Sequence, residues 1–182
     1  MKILAAFALA AALVSAASAS AAGTKPAGAC SAAALSAKLP KQNLPAAVAS
    51  VRARIATAAV ACDYAKLQKI ALEKGKGFKF SFGTEKSAAA YWRKLESQHR
   101  DKPLARLVKI LSIPFTRNET GAYAWPSAYT DKPTAANWNA LVQKGVYTRA
   151  QVNQMRNGGN VYYGYRTAIT RSGDWQFFIS GD

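Results

Sequence analysis

His99 is the single histidine of the chain, in Ser97-Gln98-His99-Arg100, with no His-x-x-x-His or Cys-x-x-Cys anywhere. Transition-metal centres need clustered imidazole and thiolate ligands, so no metal and no cofactor are expected. His99 reads as an exposed residue at a helix end. The acids are scattered and form no Asp-x-Asp-x-Asp calcium loop. Gly-x-Ser-x-Gly is absent, and a Ser or Thr nucleophile paired with His99 has no local support. Gly75-Lys76-Gly77 and Asn157-Gly158-Gly159-Asn160 lack the strand–loop–helix framing of a phosphate loop and read as turns.

Carboxylate chemistry needs two acids brought close together. The nine acids are Asp63, Glu73, Glu85, Glu96, Asp101, Glu119, Asp131, Asp174 and Asp182. Asp63, Asp101 and Asp131 sit at expected helix starts and Asp174 in a turn. Glu96, near Arg93 and Arg100, reads as a surface ion partner. The chain therefore leans towards a non-enzyme.

Charge is the outstanding feature. Twenty-five Lys and Arg face nine acids in 182 residues, a net +16. Lys66, Lys69, Lys74, Lys76 and Lys79 form one group, and Arg93, Lys94, Arg100, Lys102, Arg106 and Lys109 a second. If the helices over 64–73 and 103–111 share a surface, the groups merge into a patch. Such a patch attracts an anionic envelope polymer or lipid surface, with nucleic acid possible but not favoured. A solvated basic surface without a partner is the competing reading. Trp125, Tyr163, Tyr165 and Trp175 are candidates for an aromatic pocket on a curved sheet, against sheet packing as the default.

The N-terminus reads as an address. Lys2 precedes an apolar run from Ile3 to Val14 and then small residues through Ala22. This matches a signal peptide over 1–21 cut at Ala19-Ser20-Ala21, with Ala17-Ser18-Ala19 as the alternative. The apolar run is shorter than the ~20 residues of a membrane span, so the expected product is soluble, in the periplasm or outside the cell. In an exported chain Cys30 and Cys62 are expected to form a disulfide; two free thiols, or lipid attachment at Cys30, are the alternatives.

The elements that position these residues follow from periodicity. Residues 22–42 are an Ala-, Gly- and Pro-rich lead-in with one helical turn near Ser31 to Leu39. Residues 43–182 form a single α+β domain, several helices packed on a short, mainly antiparallel sheet. Pro45 begins a helix carrying Val48, Val51, Ile55, Ala58 and Ala59 on one face, with Arg52 and Arg54 on others. Asp63, Ser87, Thr134 and Thr148 cap further helices, and Pro103 starts one with Leu104, Leu107, Val108 and Leu111 as its buried stripe. Phe78-Lys79-Phe80-Ser81-Phe82 alternates as a strand with three Phe on one face, and Gly121 to Trp125 is a second strand. Val161–Thr170 and Trp175–Ser180 make a terminal hairpin, with Tyr163 and Tyr165 on one face and Tyr162 on the other.

Cys62-Asp63-Tyr64 with Leu67, Phe80-Ser81-Phe82-Gly83, Tyr91-Trp92-Arg93, Trp125-Pro126, Gly164-Tyr165-Arg166, and Trp175, Phe177-Phe178 and Gly181-Asp182 occur in that order. The ensemble resembles a group of uncharacterised exported bacterial proteins over about two thirds of the chain. It implies no activity and carries over no site residue. The paired helices around Cys-Asp-Tyr, followed by strands and a hairpin, are also similar to the cone of nuclear transport factor and ketosteroid isomerase, the helices between Asp101 and Arg156 being additional. Three functions are consistent with this reading: a non-catalytic binder of an anionic envelope component, a small-ligand protein or enzyme with an aromatic-lined pocket, or a secreted effector or inhibitor of another protein.

Overall fold

The computed structural model of the chain describes residues 30–75, 77–98 and 101–181. The expected signal peptide and the beginning of the lead-in lie outside the described residues, as do Lys76, His99, Arg100 and Asp182. Among the described residues six helices and four strands follow one another as α1 (Ala46–Val60), α2 (Tyr64–Leu72), α3 (Ala88–Ser97), α4 (Pro103–Leu111), β1 (Thr116–Arg117), β2 (Tyr123–Trp125), α5 (Ala135–Gln143), α6 (Arg149–Asn157), β3 (Arg166–Ile169) and β4 (Trp175–Ile179). The sheet runs β1-β2-β3-β4, every neighbour antiparallel, with a bulge between β3 and β4. This is the expected α+β domain with its C-terminal hairpin.

Local chemistry sets most helix starts. The Asp63 carboxylate accepts from the Lys66 N–H at 2.8 Å, and the Ser87 hydroxyl from Ala90 at 3.2 Å. Thr134 and Thr148 each form a reciprocal capping box, with Asn137 and Gln151 respectively. Each such cap satisfies N–H groups that the helix leaves without an internal partner, contributing ~1 kcal/mol. Cys30 and Cys62 are joined in a disulfide that ties the lead-in to the end of α1. The lead-in itself holds two short hydrogen-bonded turns, Ala33 N–H to Cys30 O and Leu35 N–H to Ala32 O, in place of the expected helical turn.

Helices α1 to α4 cover one face of the sheet: α1 packs on α2 and α4, α3 does the same, and β3 and β4 receive the layer. All four tryptophans are buried. Trp92 of α3 meets Phe78, Phe80, Trp175 and Phe178 at centroid distances between 5.7 and 6.4 Å. Aromatic pairs contribute ~0.5–1.5 kcal/mol beyond area burial, so this cluster bolts α3 to the hairpin. On the other face the strands present Ala124 and Ala168, small enough for Tyr129 and Phe177 to lie over them.

Three expectations are corrected. Phe78–Phe82 is not a strand: Lys79 makes an isolated parallel bridge to Phe177, and Phe82 is 51% exposed while Phe78 and Phe80 pack inward. The Ser81 hydroxyl bonds Glu85 and accepts from the Gly83 N–H, turning the chain before Phe82 can follow its neighbours. The terminal hairpin begins at Arg166 rather than Val161, and both Tyr162 and Tyr165 point into the core. Tyr hydroxyls stand in for strand partners there: Tyr162 donates to the Tyr165 carbonyl at 2.6 Å, and the Tyr165 N–H donates to the Tyr147 hydroxyl at 2.7 Å. Arg52, expected off the apolar face of α1, is 5% exposed. Its guanidinium donates twice to Leu111 O and once to Pro40 O, and it lies 5.8 Å from the Trp125 ring centre. Those carbonyls include the C-terminal end of α4, where a cation is favoured.

Candidate anion-binding surface

The acids come first, because their placement decides how much positive charge remains uncompensated. Glu96 is not a surface ion partner. Its Oε2 accepts from the Ser31 N–H at 2.8 Å, and its Oε1 from the Ser31 hydroxyl at 2.6 Å and the Leu104 N–H at 3.0 Å. Asp63 is taken up by its cap and Glu85 by Ser81, a bond that holds the Glu85 carboxyl below its ordinary pKa. Asp101 does not cap α4, whose N-cap position belongs to Lys102. Its Oδ1 accepts from the Lys102 N–H at 2.8 Å and pairs with Arg106 Nε at 3.0 Å, and its Oδ2 accepts from the Tyr165 hydroxyl at 2.8 Å. Among the described residues two ion pairs form, Arg54–Glu73 and Arg106–Asp101. Asp63, Glu85 and Glu96 thus serve backbone N–H or hydroxyl groups, while Glu73 and Asp101 pair with arginines.

The first basic group follows α2. Lys66, Lys69 and Lys74 are exposed, and Lys79 lies 4.3 Å from the centre of the exposed Phe82 ring. Arg93 stacks over Tyr64 at 4.9 Å, Lys94 is exposed, and Lys102 and Arg106 sit on α4. The two groups ride on helices that meet through α1 and α3. Lys76 and Arg100 lie outside the described residues.

One part of this surface is shaped. Lys102 at the N-cap of α4 and Arg106 and Lys109 within it are at helical spacing and face the loop from α5 to α6 across a cleft of about 440 Å³. Val142, Val146, Tyr147, Thr148 and Gln151 form the opposite wall. Arg106 is fixed from several sides. Asp101 holds its Nε, the Val146 carbonyl accepts from Nη1 at 3.1 Å, and the Tyr147 and Tyr165 rings lie 4.5 and 5.7 Å from its central carbon. Lys109 Nζ donates to Gly145 O at 2.8 Å and keeps its remaining N–H groups. Sequence reasoning had Lys102 and Arg106 as members of a diffuse group; their i, i+4, i+7 spacing with Lys109 was the signal for a common face. Tyr147 had no signal at all.

Tyr147 in the cleft wall is backed by two further tyrosines, Tyr162 and Tyr165. Burial raises the Tyr147, Tyr162 and Tyr165 hydroxyls above their ordinary pKa, and the Asp101 carboxylate pushes Tyr165 further in the same direction. They stay neutral and act as hydrogen-bond struts. Gly164 makes room for this packing, since a Cβ there would stand 2.5 Å from the Tyr147 hydroxyl oxygen.

The four residues considered for an aromatic pocket have separate surroundings. Trp125 is buried beside Phe115 and donates to Gln42, and Trp175 is buried against Phe78 and donates to the Thr167 hydroxyl. Tyr165 stacks on Phe178, and Tyr163 is half-buried. Among the described residues no group of three His, Cys, Asp or Glu could hold a metal ion, and no helix is long and apolar enough to cross a membrane. No family model, no curated protein and no solved structure matches the chain.

Proposed function

We propose that the protein is exported and, without catalysing a reaction, binds an anionic component of the cell envelope through its positive surface. The observation that carries this reading is the diversion of acids. Glu96, Asp63 and Glu85 serve backbone N–H and hydroxyl groups, and among the described residues both ion pairs engage arginines, so the lysines of a chain of +16 have no carboxylate partner there. Such a surface attracts polyanions over several ångströms and concentrates them before any specific contact forms. Export is supported by the disulfide, which persists in oxidising compartments, and by the leader-like run at 1–21.

The mature protein should be retained on heparin and on phosphatidylglycerol vesicles in low salt and released by moderate salt, since the Debye length is about 10 Å at 0.1 M. Passage through both without retention in low salt would overturn the reading.

A further inference from the structure

The cleft between α4 and the α5–α6 loop differs from the rest of the basic surface in being concave. From it the geometry points to a discrete binding site for a phosphate group, held by Lys102, Lys109 and the outer edge of Arg106. This inference rests on the proposed cationic surface and names the chemistry that one part of it would take.

The argument for phosphate over carboxylate comes from the donors that remain free around Arg106. A planar two-bonded grip on a carboxylate or a phosphate needs a free paired edge of the guanidinium. Here Nε already faces Asp101 Oδ1 at 3.0 Å, and Nη1 donates to the Val146 carbonyl. The Nε-containing edge is therefore closed to any incoming anion. What the cleft still offers is single N–H groups from the guanidinium and the compact charges of Lys102 and Lys109, which line it together. Lysine binds phosphate as a point charge without demanding planar geometry, and a tetrahedral anion can meet donors from three directions. Asp101 offsets the charge of Arg106, so the positive charge that remains for an anion is that of Lys102 and Lys109. Thr148 and Gln151 bond one another in their capping box and add shape rather than free donors.

The phosphate could belong to a lipid headgroup or be free in solution, and the test separates the two. The mature protein is titrated with inorganic phosphate and with acetate by calorimetry, and its retention on phosphatidylglycerol vesicles is measured with and without phosphate. Phosphate binding in preference to acetate is expected, weakened about tenfold or more in Lys102→Gln/Lys109→Gln, as loss of two charged contacts requires. Lys38→Gln/Lys132→Gln, with the same charge change on exposed residues outside the cleft, should leave phosphate affinity within about twofold. Lys102→Gln alone, at an exposed position, should give an intermediate loss and guards against misfolding of the double variant. Release from vesicles by phosphate assigns the cleft to a headgroup; phosphate binding without release assigns it to the free anion. Equal affinity for acetate, or an unaltered double variant, overturns the site. If heparin retention persists in that case, the general surface reading stands; phosphate binding by a protein that ignores heparin and vesicles overturns that general reading alone.

Discussion

Glu96 and Ser31, 65 residues apart, together close the N-terminus of α4: Glu96 Oε1 accepts from the Leu104 N–H and the Ser31 hydroxyl oxygen accepts from the Ala105 N–H, both at 3.0 Å. Ser31 is in turn held at its own N–H and hydroxyl by the same carboxylate, beside the Cys30–Cys62 bridge. One acid thereby caps a helix that does not carry it and fastens the lead-in to α3.

Glu96→Ala should therefore destabilise the protein by about 2 kcal/mol, the scale of losing hydrogen bonds to a charged acceptor. Ser31→Ala should lose about half as much, since Leu104 keeps its partner. Urea unfolding of the oxidised protein measures both. Equal stability of Glu96→Ala and the wild type would show that water replaces the carboxylate without loss.

Arg52 predicts a larger effect. Desolvation draws its guanidinium down to about 10, yet at neutral pH it remains charged and bonded to three carbonyl contacts. Arg52→Ala leaves the Leu111 carbonyl without its donor and opens a cavity beside Trp125, which should remove about 3 kcal/mol. Arg52→Lys cannot present the two donors that reach Leu111 O together and should recover only part. Thermal melts of the two variants would rank them; a lysine variant as stable as the wild type would refute the need for the forked geometry.

Gly164→Ala tests the packing behind the cleft. The added methyl would overlap the Tyr147 hydroxyl, which is pinned by the Tyr165 N–H. A loss of roughly 1–3 kcal/mol is expected, as for overpacked interiors. Gly77→Ala, where a Cβ meets nothing within 4 Å, should stay within about 0.5 kcal/mol of the wild type. Denaturant titration distinguishes them.

The buried tyrosines give a pH dependence with a definite sign. Tyr147, Tyr162 and Tyr165 have folded pKa values above the ordinary 10.0. The folded state then holds protons that the unfolded chain releases above pH 10, so their contribution is intact below that pH and falls as pH rises beyond it. Absorbance at alkaline pH should show some tyrosines ionising only as the protein unfolds. Ionisation of all eight tyrosines in one transition near pH 10, with the fold retained, would contradict this.

The sequence by itself determined the features whose causes lie within a few residues. Asp63, Ser87, Thr134 and Thr148 cap the helices they precede, because each bonds an N–H three places on. The apolar stripe of α4 and the pairing of Trp175–Ile179 with the preceding strand were equally legible as periodicity. The Cys30–Cys62 bridge was legible by count. Lys102, Arg106 and Lys109 could be placed on one helix, but not opposite Tyr147.

Tertiary structure alone decided the roles of Arg52, Glu96 and Asp101, which the sequence places off the apolar face of α1, in a surface ion pair and at a helix start. Their partners Leu111, Ser31 and Tyr165 lie 59, 65 and 64 residues away. Periodicity reports which side of an element is apolar; it does not report which backbone groups of another element end beside a polar side chain. Phe82 failed for the related reason that alternation favours extended chain only until a competing bond intervenes, here the turn held by Ser81. A buried charge finds its partner only when two distant segments meet, and that meeting is fixed by the packing of the whole core.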